Sequence, residues 1–110
     1  MGVFDIINSS NGLFLCRFCV KYQFRHCVIN PGSRRVFILP QEPGNPRGGN
    51  YVFALDFQPL ESPFYKIVCF RDTYIYNEKM MKKPGSLEIL IYSSENGTWK
   101  TSRKFPGNQI

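Results

Sequence analysis

Apolar residues fall along this chain in short runs, each closed by a cluster of Pro, Gly, Asn or Ser. The pattern predicts strands at Leu13–Val20, His26–Asn30, Val36–Leu39, Tyr51–Phe57, Tyr65–Phe70, Leu87–Tyr92 and Thr98–Ser102. Two runs, Leu13-Phe14-Leu15-Cys16 and Ile67-Val68-Cys69-Phe70, are apolar at every position. Successive strand residues point to opposite faces, so such a strand is expected to lie between two layers. No segment carries a helical stripe of adequate length with caps. The fold class expected is all-β.

Turn chemistry supports this reading. Asn30-Pro31-Gly32-Ser33 separates Cys27-Val28-Ile29 from Val36-Phe37-Ile38-Leu39, and Ser93-Ser94-Glu95-Asn96-Gly97 separates Leu87–Tyr92 from Thr98-Trp99. Both read as hairpin connections, the second through an Asn-Gly pair that tolerates positive φ. Each hairpin runs from an apolar strand through a polar turn into a strand with a bulky aromatic. The echo suggests two blade-like units. Gln41–Asn50 and Asp72–Ser86 read as long exposed loops, the latter carrying Glu78-Lys79-Met80-Met81-Lys82-Lys83.

Four motifs then resemble one family in its own order. Asn8-Ser9-Ser10-Asn11-Gly12-Leu13-Phe14-Leu15-Cys16 is similar to the opening segment of the F-box-associated domain of plant F-box proteins. Asn30-Pro31-Gly32-Ser33-Arg34 with Ile38-Leu39-Pro40 resembles that family's second motif. Ala54-Leu55-Asp56-Phe57-Gln58-Pro59 with Phe64-Tyr65-Lys66-Ile67-Val68-Cys69 resembles its third. Tyr92-Ser93-Ser94-Glu95-Asn96-Gly97-Thr98-Trp99 resembles its fourth. Gln58, Ser33 and Asn96 depart from the family pattern, and each replacement keeps turn or strand chemistry. The resemblance implies a partial kelch-like β-propeller of about two blades, spanning residues 8–104 between a leader (1–7) and a tail (105–110). It also implies recognition of a protein substrate for a cullin-based ubiquitin ligase. The ligase adaptor would bind only if an F-box segment, absent from these residues, accompanies the domain.

Charge and cysteine usage narrow the partners. The net charge of +6 is divided evenly, six basic against three acidic residues over 1–60 and eight against five over 61–110. An even excess favours acidic partners without the Arg/Lys stripe of a nucleic-acid reader. No apolar run approaches bilayer length, and the first residues lack a signal-peptide pattern. A cytoplasmic or nuclear location, with reduced thiols, is therefore expected.

Candidate chemistry is sparse. Cys16-Arg17-Phe18-Cys19, with His26 and Cys27 behind it, invites a metal reading, but strand residues three apart face opposite ways. His26 is the only histidine, and no nucleophile elbow, phosphate loop or carboxylate pair accompanies it. No enzyme activity, cofactor or metal is expected. Trp99 is expected to pack inside the fold, where a large ring stabilises strongly. Partner contact is assigned to loop residues Arg34, Arg35, Arg47, Tyr74, Tyr76, Lys79, Lys82 and Lys83, since rim loops and Tyr are favoured at interfaces. Two other readings stay open: a basic β-domain that binds nucleic acid, and a truncated paralogue without autonomous activity.

Overall fold

The computed structural model describes residues 4–44, 50–76 and 82–107, with the side chains of 73–76 and 82–84 left out. Among the described residues the protein is all-β. Eight strands run in chain order: β1 (Phe4–Ser10), β2 (Leu13–Val20), β3 (Gln23–Asn30), β4 (Arg35–Ile38), β5 (Asn50–Phe57), β6 (Tyr65–Tyr76), β7 (Lys82–Ser93) and β8 (Thr98–Pro106). They form two four-stranded antiparallel sheets, ordered β1-β2-β3-β4 and β5-β6-β7-β8. Two such meanders, stacked without closing into a barrel, are consistent with two blades of a propeller-like fold.

The turns are built as their residues require. Asn11 and Gly12 both take positive φ between β1 and β2, the backbone of a two-residue hairpin. Asn30 Oδ1 accepts from the Ser33 amide at 3.4 Å, and the Arg34 amide donates to the Pro31 carbonyl at 3.3 Å. Gly97, at φ 71°, donates to the Ser93 carbonyl at 2.8 Å. The β2–β3 turn is the exception: Lys21 and Tyr22 hold φ of 50° and 65° without a glycine, which strains both residues.

The inner faces of the two sheets pack together. Leu13, Leu15, Val28 and Leu39 from the first meet Phe53, Leu55, Ile67, Cys69, Leu90 and Tyr92 from the second. Burying Leu15, Ile67 and Leu90 completely stabilises the fold by about 1.5–3 kcal/mol each. Trp99 joins this core, its ring 5.5 Å from Tyr92 and 6.4 Å from Phe53. Its indole Nε1–H donates to the Pro40 carbonyl at 2.9 Å, linking β8 to the segment that leaves β4.

β1 fastens one sheet to the edge of the other. Asn8 Oδ1 accepts from the Leu55 amide at 2.9 Å, and Ser10 Oγ accepts from the Phe57 amide at 3.1 Å. Ser10 Oγ also donates to the Phe57 carbonyl, as does Asn11 Nδ2. These bonds satisfy backbone groups of β5, an edge strand that lacks a neighbour on that side.

Some expectations need correction. Phe4, Asp5 and Ile6 belong to strand β1, where they pair with Phe18, Arg17 and Cys16 of β2. Asp72–Ser86 is largely a hairpin arm and not a loop: Tyr74 pairs with Pro84, Ile75 with Lys83 and Tyr76 with Lys82. In the Gln41–Asn50 stretch, Glu42 is buried and Gly44 lies against Arg71. Phe105 and Pro106 close the last strand.

Candidate binding cleft

At one end of the junction between the sheets lies a cleft of about 1020 Å³. Aromatic walls come from Phe24, Tyr51 and Phe53, and the polar groups are Asp5, Arg17, His26, Gln41 and Glu42. The strand register explains the gathering. Asp5 opposes Arg17 across β1–β2, and Arg17 opposes His26 across β2–β3, so the three share one face. Arg17 Nη2 donates to Asp5 Oδ2 at 3.1 Å, and its guanidinium stands 4.6 Å above the Phe24 ring.

The His26 ring packs against Phe53, centroids 4.1 Å apart and planes tilted by 38°, and its side chain is only 7% exposed. Burial, with Arg17 beside it, lowers its pKa to about 4. Its Nδ1 lies 3.6 Å from Glu42 Oε1, within ion-pair range. Because the ring is neutral near pH 7, the contact is one between imidazole and carboxylate and not a salt bridge. Burial raises the Glu42 pKa, while its backbone hydrogen bond and Arg71 and Arg25 oppose that rise. Gln41 Nε2 donates to Glu42 Oε2 at 3.2 Å.

A second buried charge anchors the segment that carries Glu42. Arg71 donates through Nη1 to the Pro43 carbonyl at 2.7 Å and through Nη2 to Glu88 Oε1 at 3.3 Å. Gly44 takes φ 80°, and a Cβ there would stand 3.2 Å from Arg71 Nη2, so a side chain is disfavoured twice. Leu39–Gly44 is thereby held at successive points: the Leu39 amide to the His26 carbonyl, the Pro40 carbonyl to Trp99, and the Pro43 carbonyl to Arg71. This segment forms a rigid wall of the cleft.

Among the described residues, three side-chain nitrogens are buried without a hydrogen-bond partner: Arg17 Nε, His26 Nε2 and Arg71 Nε. Leaving a buried donor or acceptor unmade costs about 1–3 kcal/mol. Two of the three, on Arg17 and His26, belong to cross-strand neighbours that line the cleft.

The residues expected to contact a partner lie elsewhere. Arg34, in the left-handed region, and Arg35 are exposed at the β3–β4 turn. Tyr74, Tyr76, Lys82 and Lys83 share the β6–β7 arm on the other sheet, Tyr76 paired with Lys82. Arg47 and Lys79 lie outside the described residues. Cys16 pairs across the sheet with Cys27, whereas Cys19 pairs with Phe24, so the two ends of the C-x-x-C face opposite ways. Burial raises the pKa of both Cys16 and Cys27. Sequence reasoning did not single out Arg17, Glu42 or Arg71. The detectable signal for Arg17 and Arg71 was a charged residue inside an otherwise apolar strand.

One curated relative places the chain among known proteins. Over 99 residues, 86% of its length, it is 29% identical to F-box protein At5g07610 of Arabidopsis thaliana. The chain is thus similar to a plant F-box protein. It spans 22% of that relative's length. No family model matches the chain, and no solved structure matches it.

Proposed function

We propose that this chain is a protein-recognition module of the F-box type, presenting a substrate to a cullin-based ubiquitin ligase when joined to an F-box. The observation that carries the reading is the similarity to At5g07610 across nearly the whole chain. Two apolar sheets that stack and open a cleft at one end suit binding rather than catalysis, since such clefts seat ligands on apolar walls with few polar groups. Four free cysteines suit a reducing compartment, the cytosol or nucleus.

The test is affinity capture from plant extract at low and moderate salt, followed by turnover of the captured protein with the chain fused to an F-box. A salt-resistant protein partner whose half-life shortens in a proteasome-dependent way supports the proposal. Capture of nucleic acid alone, lost steeply as salt rises, would replace it with the nucleic-acid reading. Captured proteins whose turnover is unchanged by the fusion would refute a role in degradation.

A further inference from the structure

The two sheets repeat one plan, and their strand registers show which faces correspond. The β3–β4 turn closes at Asn30 with Arg35 and the β7–β8 turn at Ser93 with Thr98, each enclosing four residues. With these turns matched, Ile29 falls on Tyr92, Cys27 on Leu90 and Val36 on Trp99. Across the strands, Ile6-Cys16-Cys27-Ile38 then matches Phe53-Cys69-Leu90-Thr101, and Ser9-Phe14-Ile29-Val36 matches Leu55-Ile67-Tyr92-Trp99. The second sheet turns these rows inward, since Phe53, Leu55, Ile67, Cys69, Leu90 and Tyr92 are core residues. The first sheet turns the matching rows outward, where Ile6, Val36 and Ile38 stand exposed.

The opposite faces show the converse. Asn8-Leu15-Val28-Phe37, turned by the first sheet toward the second, matches Ala54-Val68-Ile91-Lys100 on the second sheet's outer surface. The contact inside the chain is therefore heterologous, one kind of face meeting the other. Strand order runs the same way in both layers: Asn8 of β1 bonds to Leu55 of β5, and Pro40, just past β4, bonds to Trp99 of β8. The chain presents outward one face of each kind, and such faces fit each other head to tail in a second copy.

We propose that the outer face of the first sheet docks on the outer face of the second sheet of another copy of this chain, so that copies stack head to tail. Ile6, Val36 and Ile38 meet Val52, Phe70 and Ile89, the two apolar stripes that the register places outward. The contact is weaker than the one within the chain. Ala54 stands where Asn8 supplies its bond to the Leu55 amide, and Lys100 stands where Phe37 approaches Tyr92. Association is accordingly reversible and grows with concentration. It is independent of the recognition reading above, because it uses neither the cleft nor the exposed turns.

Sedimentation velocity of the full 110-residue chain at rising concentration is expected to show reversible association. Ile6→Lys with Val36→Lys spoils the outer face of the first sheet, and Val52→Lys with Phe70→Lys spoils that of the second. Each double variant alone should associate at least about tenfold more weakly, because docking would bury unpaired ammonium groups. Mixed in equal amounts, the two variants hold between them one intact face of each kind. They should form a one-to-one dimer that grows no further, and unfolding midpoints close to the parent's confirm that both fold. A parent that stays monomeric would overturn the proposal, as would a mixture of folded variants that stays monomeric. Either variant associating alone as the parent does would replace the head-to-tail contact with a two-fold one through its intact face. Growth of the mixture without limit would mean unspecific apolar adhesion and would also overturn it.

Discussion

Asn8 and Ser10 make a sharp test of how the two sheets hold together. Their side chains accept from the Leu55 and Phe57 amides of β5, groups that no strand pairs on that side. Asn8→Ala with Ser10→Ala leaves both amides without their acceptors. Each unmade bond costs about 1–3 kcal/mol when buried. The sites are half-buried and water reaches part of the edge, so the lower half of that range applies, about 3 kcal/mol for the double variant. The effects are close enough to couple, and the singles need not sum. Asn8→Asp retains the acceptor and should stay within about 1 kcal/mol of the parent by the same reasoning. Urea titration followed by far-UV circular dichroism and by fluorescence of Trp99, the only tryptophan, measures this. A double variant within about 0.5 kcal/mol of the parent, the range of an ordinary surface change, would refute the argument that β1 secures β5.

Further outcomes follow from other features. The folded pKa of His26, about 4, lies below its ordinary 6.5, so the unfolded chain takes up its proton first. Stability should fall by about 3 kcal/mol as pH drops from 6.5 to 4. The raised pKa of Glu42 acts in the opposite sense, returning stability as its carboxyl protonates. Denaturant midpoints across that window for the parent and His26→Phe check this, and an unchanged slope in the variant would exclude His26 as the source. Replacing Lys21-Tyr22 by Asn-Gly relieves two left-handed residues and removes a fully exposed ring. It should stabilise by about 1–2 kcal/mol in a thermal melt, and a lower Tm would contradict it. Val52→Lys with Phe70→Lys, on the outer face of the second sheet, should reduce concentration-dependent association in sedimentation without lowering the unfolding midpoint by more than about 1 kcal/mol. An unchanged association would show that the face is not self-adhesive.

The strands were legible because their apolar runs and turn residues agree, as at Leu13–Val20, whose predicted limits match β2. β1 was missed because Phe4–Ser10 mixes Asp5, Asn8 and the serines with apolar residues. The Asn8 and Ser10 side chains face β5, a destination that only the tertiary structure supplies. The Asn11-Gly12 turn was the local sign of a strand before it. Asp72–Ser86 misled because its charges and Pro84 outweighed the paired backbone of Tyr74–Tyr76 and Lys82–Pro84. The cleft was illegible for a related reason. Asp5, Arg17, His26 and Glu42 are scattered along the chain and meet only through cross-strand register and the tethered Leu39–Gly44 segment.

Strands apolar on both sides were expected to lie between layers, and the structure covers only one side of each sheet. On the outer face of the first sheet Phe4, Ile6, Val36 and Ile38 are exposed, Ile6 at 63%. Across the second, Val52 opposes Phe70 and Phe70 opposes Ile89, with Val52 at 62%. The register therefore places a continuous apolar stripe on each outward surface, larger than scattered surface hydrophobics would give. Repeat architectures have this property, because each unit buries its two faces against neighbours and a sheet pair alone leaves two faces open. The relative that matches the chain is several times longer than the matched segment. The same physics separates two roles within the chain. The inner faces and the β1 bonds make the pair of sheets cohere, whereas the polar cluster of Arg17, His26 and Glu42 lines the cleft that the packing leaves open at one end.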